Sequence, residues 1–510
     1  MLVVCCLNIV DLADLQSIKL VTTNIKPVMI SVSQCWVIFL LPLVLTTTGA
    51  QQVTTVEMTA LSALHNATNG DNWRWQNEQE AGAVWNFTLD GAGHFVNNPC
   101  SSSVAINQTW QGVSCSQSPH LCSFHTCHII KIDLVSYGLS GFIPSDIDNF
   151  SFLQLLRLDD NQLTGHIPRE VGSLSALTHF SLWVNLLSGT IPAEIGQLQS
   201  LTYLDFDSNS LTGTLPSTLA NLTNLLSLYI GETSVTGSIP SEFGELTVLE
   251  ILYLYSNQLT GTIPIELSQL LVLRIFNLSI NQLTGTIPHE VGQLDALRLM
   301  SLHSNQLTGS IPEELGTLTT LEILYIHNNL LTGTIISEVG QLTFLEQFYL
   351  HTNQLTGTIP SEVGQLRRLE VLSIRSNQLT GTIPNEVGEL TALEQLLLYS
   401  NQLTGIIPDT INLLDIVDEL WLHDNLLSGK LPTEISTMKR LRSLFLQNNL
   451  LTGHLDGVFN HLTQLELTNV DMSNNMFSGS LSTQMFRLPQ LKVLALSGAF
   501  HLLISPVMCF

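Results

Sequence analysis

Apolar residues recur along most of this chain in a fixed register. The 288 residues from Asn161 to Asn449 hold twelve periods of a 24-residue block, L-x-x-L-x-L-x-x-N-x-L-T-G-x-I-P-x-E-x-G-x-L, and Leu345–Leu366 is a clean copy. The L-x-L segment alternates with period 2, so it predicts a short strand with its leucines inward and its other residues outward. One such strand cannot bury its apolar face alone. The repeat therefore predicts copies stacked into a parallel sheet over one continuous leucine core.

The recurring Asn, Gly and Pro of the block each have a physical role. The Asn ends the strand, and its amide can bond the backbone of adjacent turns. The Gly permits a tight turn, and the Pro presets the backbone on the far side of the sheet. Departures are few, with Tyr137 and Thr233 at Asn positions and Ile336 at a Pro position.

Composition narrows the function classes. The chain has 510 residues, 45% hydrophobic and only 12% charged, and its 17 Lys and Arg against 42 Asp and Glu give a formal net charge of −25. A mean hydropathy of +0.29 excludes a disordered acidic chain. So few cations cannot build the basic face that nucleic acid or an anionic membrane surface requires, so both are excluded as partners.

The L-T-G-x-I-P element resembles the plant-type leucine-rich repeat of receptor kinase ectodomains, receptor-like proteins and polygalacturonase inhibitors. The resemblance covers Thr59 to Leu496 and implies an α/β solenoid, a leucine-rich-repeat horseshoe or superhelix with a parallel β-sheet on its concave face and a disulfide-pinned N-terminal cap. We expect a leader at residues 1–50, the cap at 51–127, plant-type repeats at 128–499 and a truncated tail at 500–510. Because one fold hosts many functions, the resemblance specifies architecture more than activity.

The predicted cap holds four cysteines. The resemblance implies a short helix within ALSALHNATNGDNW and a disulfide between Cys100 and Cys115. Cys122 and Cys127 can pair with each other, or all four can pair in another connectivity. The alternative is a metal site built from Cys122, His125, Cys127 and His128. Zinc sites use Cys and His at such short spacings, but in a secreted cap disulfides are the expectation.

The leader and the sequons point to a secreted or extracellular protein. The apolar run Trp36–Leu45 has signal-peptide length, is too short to span a membrane, and is followed by a small-residue cleavage site at Ala50. We expect translation to begin at Met29 and the tail to be that of a truncated receptor, at the cell surface, rather than of a secreted and poorly capped protein. Predicted glycosylation sites are Asn66, Asn86, Asn107, Asn149, Asn221 and Asn277. The last of these points from the concave sheet, where a glycan would obstruct a binding surface.

No catalytic motif is present in the sequence. His289 and Glu290 are not followed by a second His at helical spacing, and no nucleophile elbow or phosphate loop occurs. The glutamates that follow I-P recur at one repeat position, which favours a solvated ladder over a general acid–base pair. We therefore expect no enzyme activity, no metal and no cofactor.

The outward strand positions carry the candidate chemistry. In L-x-x-L-x-L-x-x-N they are the third, fifth, seventh and eighth residues, which we call columns 3, 5, 7 and 8. Aromatic residues collect in these columns, and a run of histidines occupies column 7. The predicted ligand-binding residues are Trp183, Tyr203, Tyr229, Tyr253, Tyr255, His303, Tyr325, His327, Tyr349, His351, Arg375, Tyr399, Trp421 and His423.

Two interpretations of this surface differ in what the aromatics do. Tyr and Trp give rigid contact area and are enriched at binding hot spots, and a contiguous patch favours binding. Alternatively, they stabilise the sheet through neighbouring pairs and were copied with the repeat. The His column is expected to gain charge near pH 6 and to weaken binding of cationic ligands in acid.

The sequence therefore predicts an extracellular, non-catalytic, receptor-like recognition protein that binds a peptide, protein or glycan on its concave face. An alternative is an inhibitor of a secreted polysaccharide-degrading enzyme, which the resemblance to polygalacturonase inhibitors implies and an acidic surface suits. A second alternative is a structural or adhesive cell-wall protein.

Overall fold

The computed structural model describes residues 52–76, 83–97, 99, 110–116, 126–479, 481 and 483–499. Several predicted features lie outside these ranges: the leader, the Met29 start, Cys100, Asn107, Cys122, His125 and the tail. The boundaries predicted for the leader, cap, repeats and tail stay predictions.

Each repeat contributes one short strand to a long parallel sheet. In Ile323–Tyr325 the central Leu324 is buried and its two neighbours face outward, as period 2 requires. The pairing joins Tyr325 to Tyr349, one repeat later, without a shift in register. The parallel strands are Ile129–Asp133, Leu155–Arg157, His179–Ser181, Tyr203–Asp205, Ser227–Tyr229, Ile251–Tyr253, Ile275–Asn277, Leu299–Ser301, Ile323–Tyr325, Gln347–Tyr349, Val371–Ser373, Gln395–Leu397, Glu419–Trp421, Ser443–Phe445, Asn469–Asp471 and Val493–Ala495, and Val113–Cys115 adds an antiparallel strand at the first of them.

The opposite side of the repeats carries turns of 3-10 helix, and among the described residues all but two of them begin directly after a Pro. At Ile336 the backbone has φ −71° and ψ 143°, which matches φ −67° and ψ 142° at Pro360, so the Ile takes the place of Pro without a change of fold. These turns are Ser145–Asn149, Arg169–Ser173, Ala193–Gln197, Ser217–Asn221, Ser241–Glu245, Ile265–Gln269, His289–Gln293, Glu313–Thr317, Ser337–Gln341, Ser361–Gln365, Asn385–Glu389, Asp409–Leu413, Thr433–Thr437 and Met485–Arg487. Their backbone hydrogen bonds span three residues, as from the Val363 N–H to the Pro360 carbonyl oxygen at 3.2 Å, so the repeats are strand and 3-10 turn. Because a helical turn is wider than a strand, the sheet lies on the concave side.

The inward strand positions form one continuous core. Leu324, Phe348 and Leu372 occupy the same position in three successive repeats, and all three are almost fully buried. The recurring Asn then joins adjacent repeats, as predicted. The Asn329 side-chain oxygen accepts from the Leu307 N–H at 3.0 Å, and its amide nitrogen donates to the carbonyl oxygens of Leu302 at 3.0 Å and Ile326 at 3.2 Å. Both ends of this buried amide are therefore bonded to the backbone of neighbouring repeats.

Two glycines of the block are required by the backbone. Gly357, in L-T-G, has φ +77°, a conformation that strains any residue with a Cβ. A Cβ at Gly364, in the 3-10 turn, would lie 2.5 Å from the carbonyl oxygen of Glu386 in the next repeat. Short strands beside the first glycine pair along the flank of the solenoid: Ser140–Gly141, Gln162–Leu163, Ser188–Thr190, Ser210–Thr212, Thr236–Ser238, Gln258–Thr260, Thr404–Gly405, Leu426–Lys430, Leu450–Gly453 and Met476–Phe477.

A helix at Thr55–Ala67 covers the first repeat, as the resemblance implied. The Thr54 hydroxyl caps it by accepting from the Glu57 N–H at 3.2 Å, and the buried Glu57 accepts from the Ile129 N–H at 3.0 Å, which ties helix to sheet. A 3-10 turn at Gly70–Asn72 and the strand pair Gln52–Val53 with Thr126–Cys127 complete the ordered elements. Among the helices of the described ranges, none has the length and apolar character needed to cross a bilayer.

The described residues do not test the predicted disulfides. Cys115 ends a strand of the cap and Cys127 is buried. Their predicted partners, Cys100 and Cys122, lie outside the described residues. The cap pairings therefore stay predictions.

Candidate functional site

The outward side chains align into continuous columns because every strand pairs in register. In column 7 the ring centroids of His303 and His327 lie 4.4 Å apart, and those of His327 and His351 lie 4.3 Å apart. These distances are close to the spacing of neighbouring strands in a sheet. The predicted His column is therefore a stack of three rings in contact.

The structure brings most of the predicted residues together in three clusters. The N-terminal tyrosine cluster is Tyr203, Tyr229, Tyr253 and Tyr255, with successive ring centroids 5.2–5.8 Å apart. The imidazole cluster is His303, His327 and His351 with Tyr325 and Tyr349 beside them. The tryptophan cluster is Tyr399, Trp421, His423 and Phe445.

Two predicted residues stand between or beside these clusters. The Arg375 guanidinium lies 5.4 Å from the centre of the Tyr399 ring, so it links the imidazole and tryptophan clusters. Trp183 lies at the N-terminal side, where its backbone N–H donates to Asp159 at 3.2 Å. Small polar residues at Asn277 and Ser301 separate the N-terminal tyrosine cluster from the imidazole cluster.

Sequence reasoning missed a group of buried carboxylates beside the first cluster. Asp205 accepts from the Tyr203 hydroxyl at 2.9 Å and from the Asp207 N–H at 3.0 Å, and Asp207 accepts from the Gly231 N–H. Burial raises the pKa of Asp205 to about 6, and burial together with the Asp205 charge raises the pKa of Asp207 well above its usual value. The available signal was aspartate in columns 5 and 7, where most repeats carry uncharged residues.

The expected charging of the His column near pH 6 is wrong. Burial lowers the pKa of His303 to about 4 and that of His351 to about 3, and it lowers the pKa of His327 further, with the neighbouring imidazoles and Arg375 adding to the effect. Desolvation disfavours the charged imidazole, and a stack of rings excludes water from the column. Between pH 5 and 8 the imidazole cluster is therefore neutral.

The remaining predicted sites occupy different faces. Asn277 lies on a concave strand, where its side-chain oxygen accepts from the Ser279 N–H at 3.1 Å and hydroxyl at 2.7 Å. Asn66, Asn86 and Asn221 are exposed and Asn149 is half-buried, and all four lie off the concave columns. The glutamates after I-P lie on the 3-10 turns, opposite the clusters. No group of three metal-ligating side chains occurs in the part of the chain that the structure describes.

Two family models match this chain. One describes a leucine-rich repeat region and matches residues 134–287. The other, the leucine-rich repeat itself, matches residues 296–318, 320–342, 368–390 and 392–414. Among curated proteins there is no significant match.

Solved structures share the architecture. An LRR protein of Leptospira interrogans, LIC12759, is 33% identical with a TM-score of 0.53, and the match covers 71% of this chain and 94% of that one. The structure of PEPR1–AtPEP1 is 27% identical with a TM-score of 0.71, covering 87% of this chain but only 62% of that one, so this chain spans less than two thirds of its length. The Arabidopsis receptor kinase HAESA, solved with the peptide hormone IDA and the co-receptor SERK1, is 28% identical with a TM-score of 0.59, covering 75% and 71%.

Proposed function

This chain belongs to the leucine-rich-repeat proteins, and from that premise we propose that it is an extracellular, non-catalytic recognition protein that binds an extended peptide along its concave face. The observation that carries the proposal is the aromatic and imidazole surface formed by the three clusters. Its rings lie in one continuous sheet face rather than scattered over the solenoid. Scattered surface aromatics need no explanation, whereas clusters of adjoining rings on one face mark an interaction site.

The chemistry of the surface suits a peptide. Tyr and Trp side chains present an apolar ring with a polar tip and lose little conformational entropy when they bind. Successive repeats place such groups at intervals of about 4.8 Å, so an extended chain that crosses the strands follows the columns and meets the residues of a new repeat at each step. HAESA and the receptor RGFR1 were each solved with a peptide hormone, at 28% and 29% identity to this chain, and these likenesses support a peptide as the ligand class.

An extracellular location and a disulfide-pinned cap are part of the proposal. The apolar run at Trp36–Leu45 has the length of a signal peptide, and the likeness to receptor kinases favours the same compartment. Intact mass of the secreted chain, measured with and without reduction and deglycosylation, tests this part. We expect Cys100 bonded to Cys115 and glycans on the exposed sequons; a fully reduced, unglycosylated chain found inside the cell contradicts it.

The binding proposal is tested by selection and substitution. Display selection of a random peptide library on the full chain supplies a probe peptide, whose Kd is measured by calorimetry for wild type and for the double variants Y253A/Y255A and Y325A/Y349A. Hot-spot aromatics contribute about 2 kcal/mol or more, so at least one double variant should bind about 30-fold more weakly.

A matched control is Phe344→Ala, because Phe344 is an exposed aromatic away from the columns, with the Arg368 guanidinium 4.3 Å from its ring centre. It should leave the Kd unchanged. If no peptide is selected while the chain inhibits a secreted polysaccharide hydrolase, the proposed function is wrong and the inhibitor interpretation replaces it. Full binding by both Tyr double variants removes the concave site.

A further inference from the structure

Within the part of the chain that the structure describes, buried side-chain N and O atoms without a hydrogen-bond partner are confined to one stretch. In the described ranges there are seven, and all lie between His327 and Gln447: His327 Nδ1, His351 Nε2, Ser373 Oγ, Asp418 Oδ1, Trp421 Nε1, His423 Nδ1 and Gln447 Oε1. Asp418 pairs with Arg442 through its other oxygen at 3.4 Å. The other six belong to columns 5 and 7 of the concave face, and we call them the unpaired polar track.

In earlier strands of the sheet, polar side chains in the same columns have hydrogen-bond partners. Ser181, in column 5, hydrogen-bonds the carboxylate of Asp159, and Tyr203 donates to Asp205 at 2.9 Å. Ser373 occupies the same column as Ser181, and the two are 0% and 2% exposed, yet only Ser373 has no partner. A buried polar group left without a partner costs about 1–3 kcal/mol, so six of them within a run of six repeats indicate a surface whose partners come from a ligand.

These atoms are covered in the free protein. Ser373 pairs in register with Tyr349 on one side and Leu397 on the other, and both side chains are larger. Tyr349 also contacts His327 and His351, with ring centroids 5.7 and 6.0 Å apart. A ligand therefore reaches the track when half-exposed side chains such as Tyr349 rotate, and such rotamer changes are common at interfaces.

The ligand of the track must supply both hydrogen-bond donors and hydrogen-bond acceptors, and it needs no net charge. Trp421 Nε1 can only donate, Gln447 Oε1 can only accept, and the Ser373 hydroxyl can do either. Each neutral imidazole offers one donor and one acceptor nitrogen. A peptide unit supplies the complement in one group, because its carbonyl accepts and its N–H donates.

The length of the track sets the length of its ligand. His327 and Gln447 are five repeats apart in column 7. At about 4.8 Å for each strand the track spans about 24 Å, the length of about seven extended residues. We propose that the unpaired polar track binds the main chain of an extended peptide segment about seven residues long, and that it does so largely irrespective of the peptide's side chains. This inference rests on the proposed function and specifies which part of the concave face contacts the main chain.

Substitutions in the protein test the track. Ser373→Ala removes one unpaired atom and keeps the packing, so it should weaken binding of the selected peptide about ten-fold without lowering the Tm of the free protein. Ser181→Ala, the matched control, removes a bonded hydroxyl in the same column, and it should lower the Tm and leave the Kd unchanged. In wild type the Trp421 indole N–H resonance should shift downfield when peptide binds. If Ser373→Ala lowers the Tm as Ser181→Ala does and leaves the Kd unchanged, the inference is overturned.

Modified peptides test main-chain recognition separately. N-methylation of single amides in the central seven residues should weaken binding about ten-fold at several positions, whereas replacement of the side chains at those positions by Ala should have less than a three-fold effect. The opposite pattern overturns the inference and leaves the proposed function intact. If wild type selects no peptide at all, both the proposed function and this inference are wrong.

Discussion

Replacing Asn329 by Ala tests how the solenoid holds its binding surface. The Asn329 side-chain oxygen accepts from the Leu307 N–H at 3.0 Å, and the residue is 6% exposed. Its amide nitrogen donates to the carbonyl oxygens of Leu302, Ile326 and His327 at 3.0–3.2 Å. A typical bond contributes about 1 kcal/mol net, and groups left buried without partners raise the loss, so Asn329→Ala should lower the free energy of unfolding by about 3–4 kcal/mol.

The chain offers a matched control at the same repeat position. Thr233 stands where other repeats have Asn, and its hydroxyl donates one bond to Asn257. Thr233→Ala should therefore lower the free energy of unfolding by only about 1 kcal/mol, whereas Thr233→Asn restores the amide and should raise it.

Two assays report the effect of Asn329→Ala. Urea unfolding followed by far-UV circular dichroism gives the global loss, and native-state hydrogen exchange gives the local opening free energy at the Leu307 amide. We expect that amide to exchange at least 100-fold faster than in wild type. The reasoning is refuted if Asn329→Ala loses no more stability than Thr233→Ala and the exchange of Leu307 is unchanged.

Three further predictions follow from single positions. Ile280 is β-branched, 37% exposed and has φ +55°, so Ile280→Asn should raise the free energy of unfolding by about 1 kcal/mol in urea titrations, whereas Ser256→Asn, at the equivalent position, should have little effect. Burial and the charge of Asp205 raise the pKa of Asp207, so stability is lost as pH rises above about 4, and Asp207→Asn should raise the Tm at pH 7 but not at pH 4. Burial lowers the pKa of His351 to about 3, so stability is lost as pH falls below about 6.5, and His351→Phe should flatten that acid-side decline in melts between pH 4 and 7.

The repeating framework was predictable because each letter of the block has one physical role. Period 2 placed Leu324 inward and Tyr325 outward, and the structure confirms both. The bonds of Asn329 were likewise predicted from its position at the end of a strand. The glycine at L-T-G was expected to allow a tight turn. Gly357 has the positive φ that such a turn requires.

The chemistry of the concave face was less predictable because it depends on burial. The sequence places His327 in a column of histidines, but only the 4.3–4.4 Å ring spacing reveals that the column excludes water and stays neutral. The contrast between Ser181 and Ser373 is also invisible in the sequence, since the two occupy the same column and only Ser181 bonds a carboxylate, that of Asp159. The repeat pattern also does not show whether the segment after I-P is an α-helix or a 3-10 turn. The structure shows a five-residue 3-10 turn, as at Ser361–Gln365.

The most direct test of the account is a side-chain footprint of the bound ligand. Hydroxyl-radical labelling of the full chain, with and without the selected peptide, reports the exposure of individual aromatic residues by mass spectrometry. We expect peptide to lower the oxidation of Tyr349, Tyr399 and Trp421 several-fold and to leave that of Phe344, outside the columns, unchanged. Protection of Phe344 with unchanged labelling of the three concave residues contradicts it.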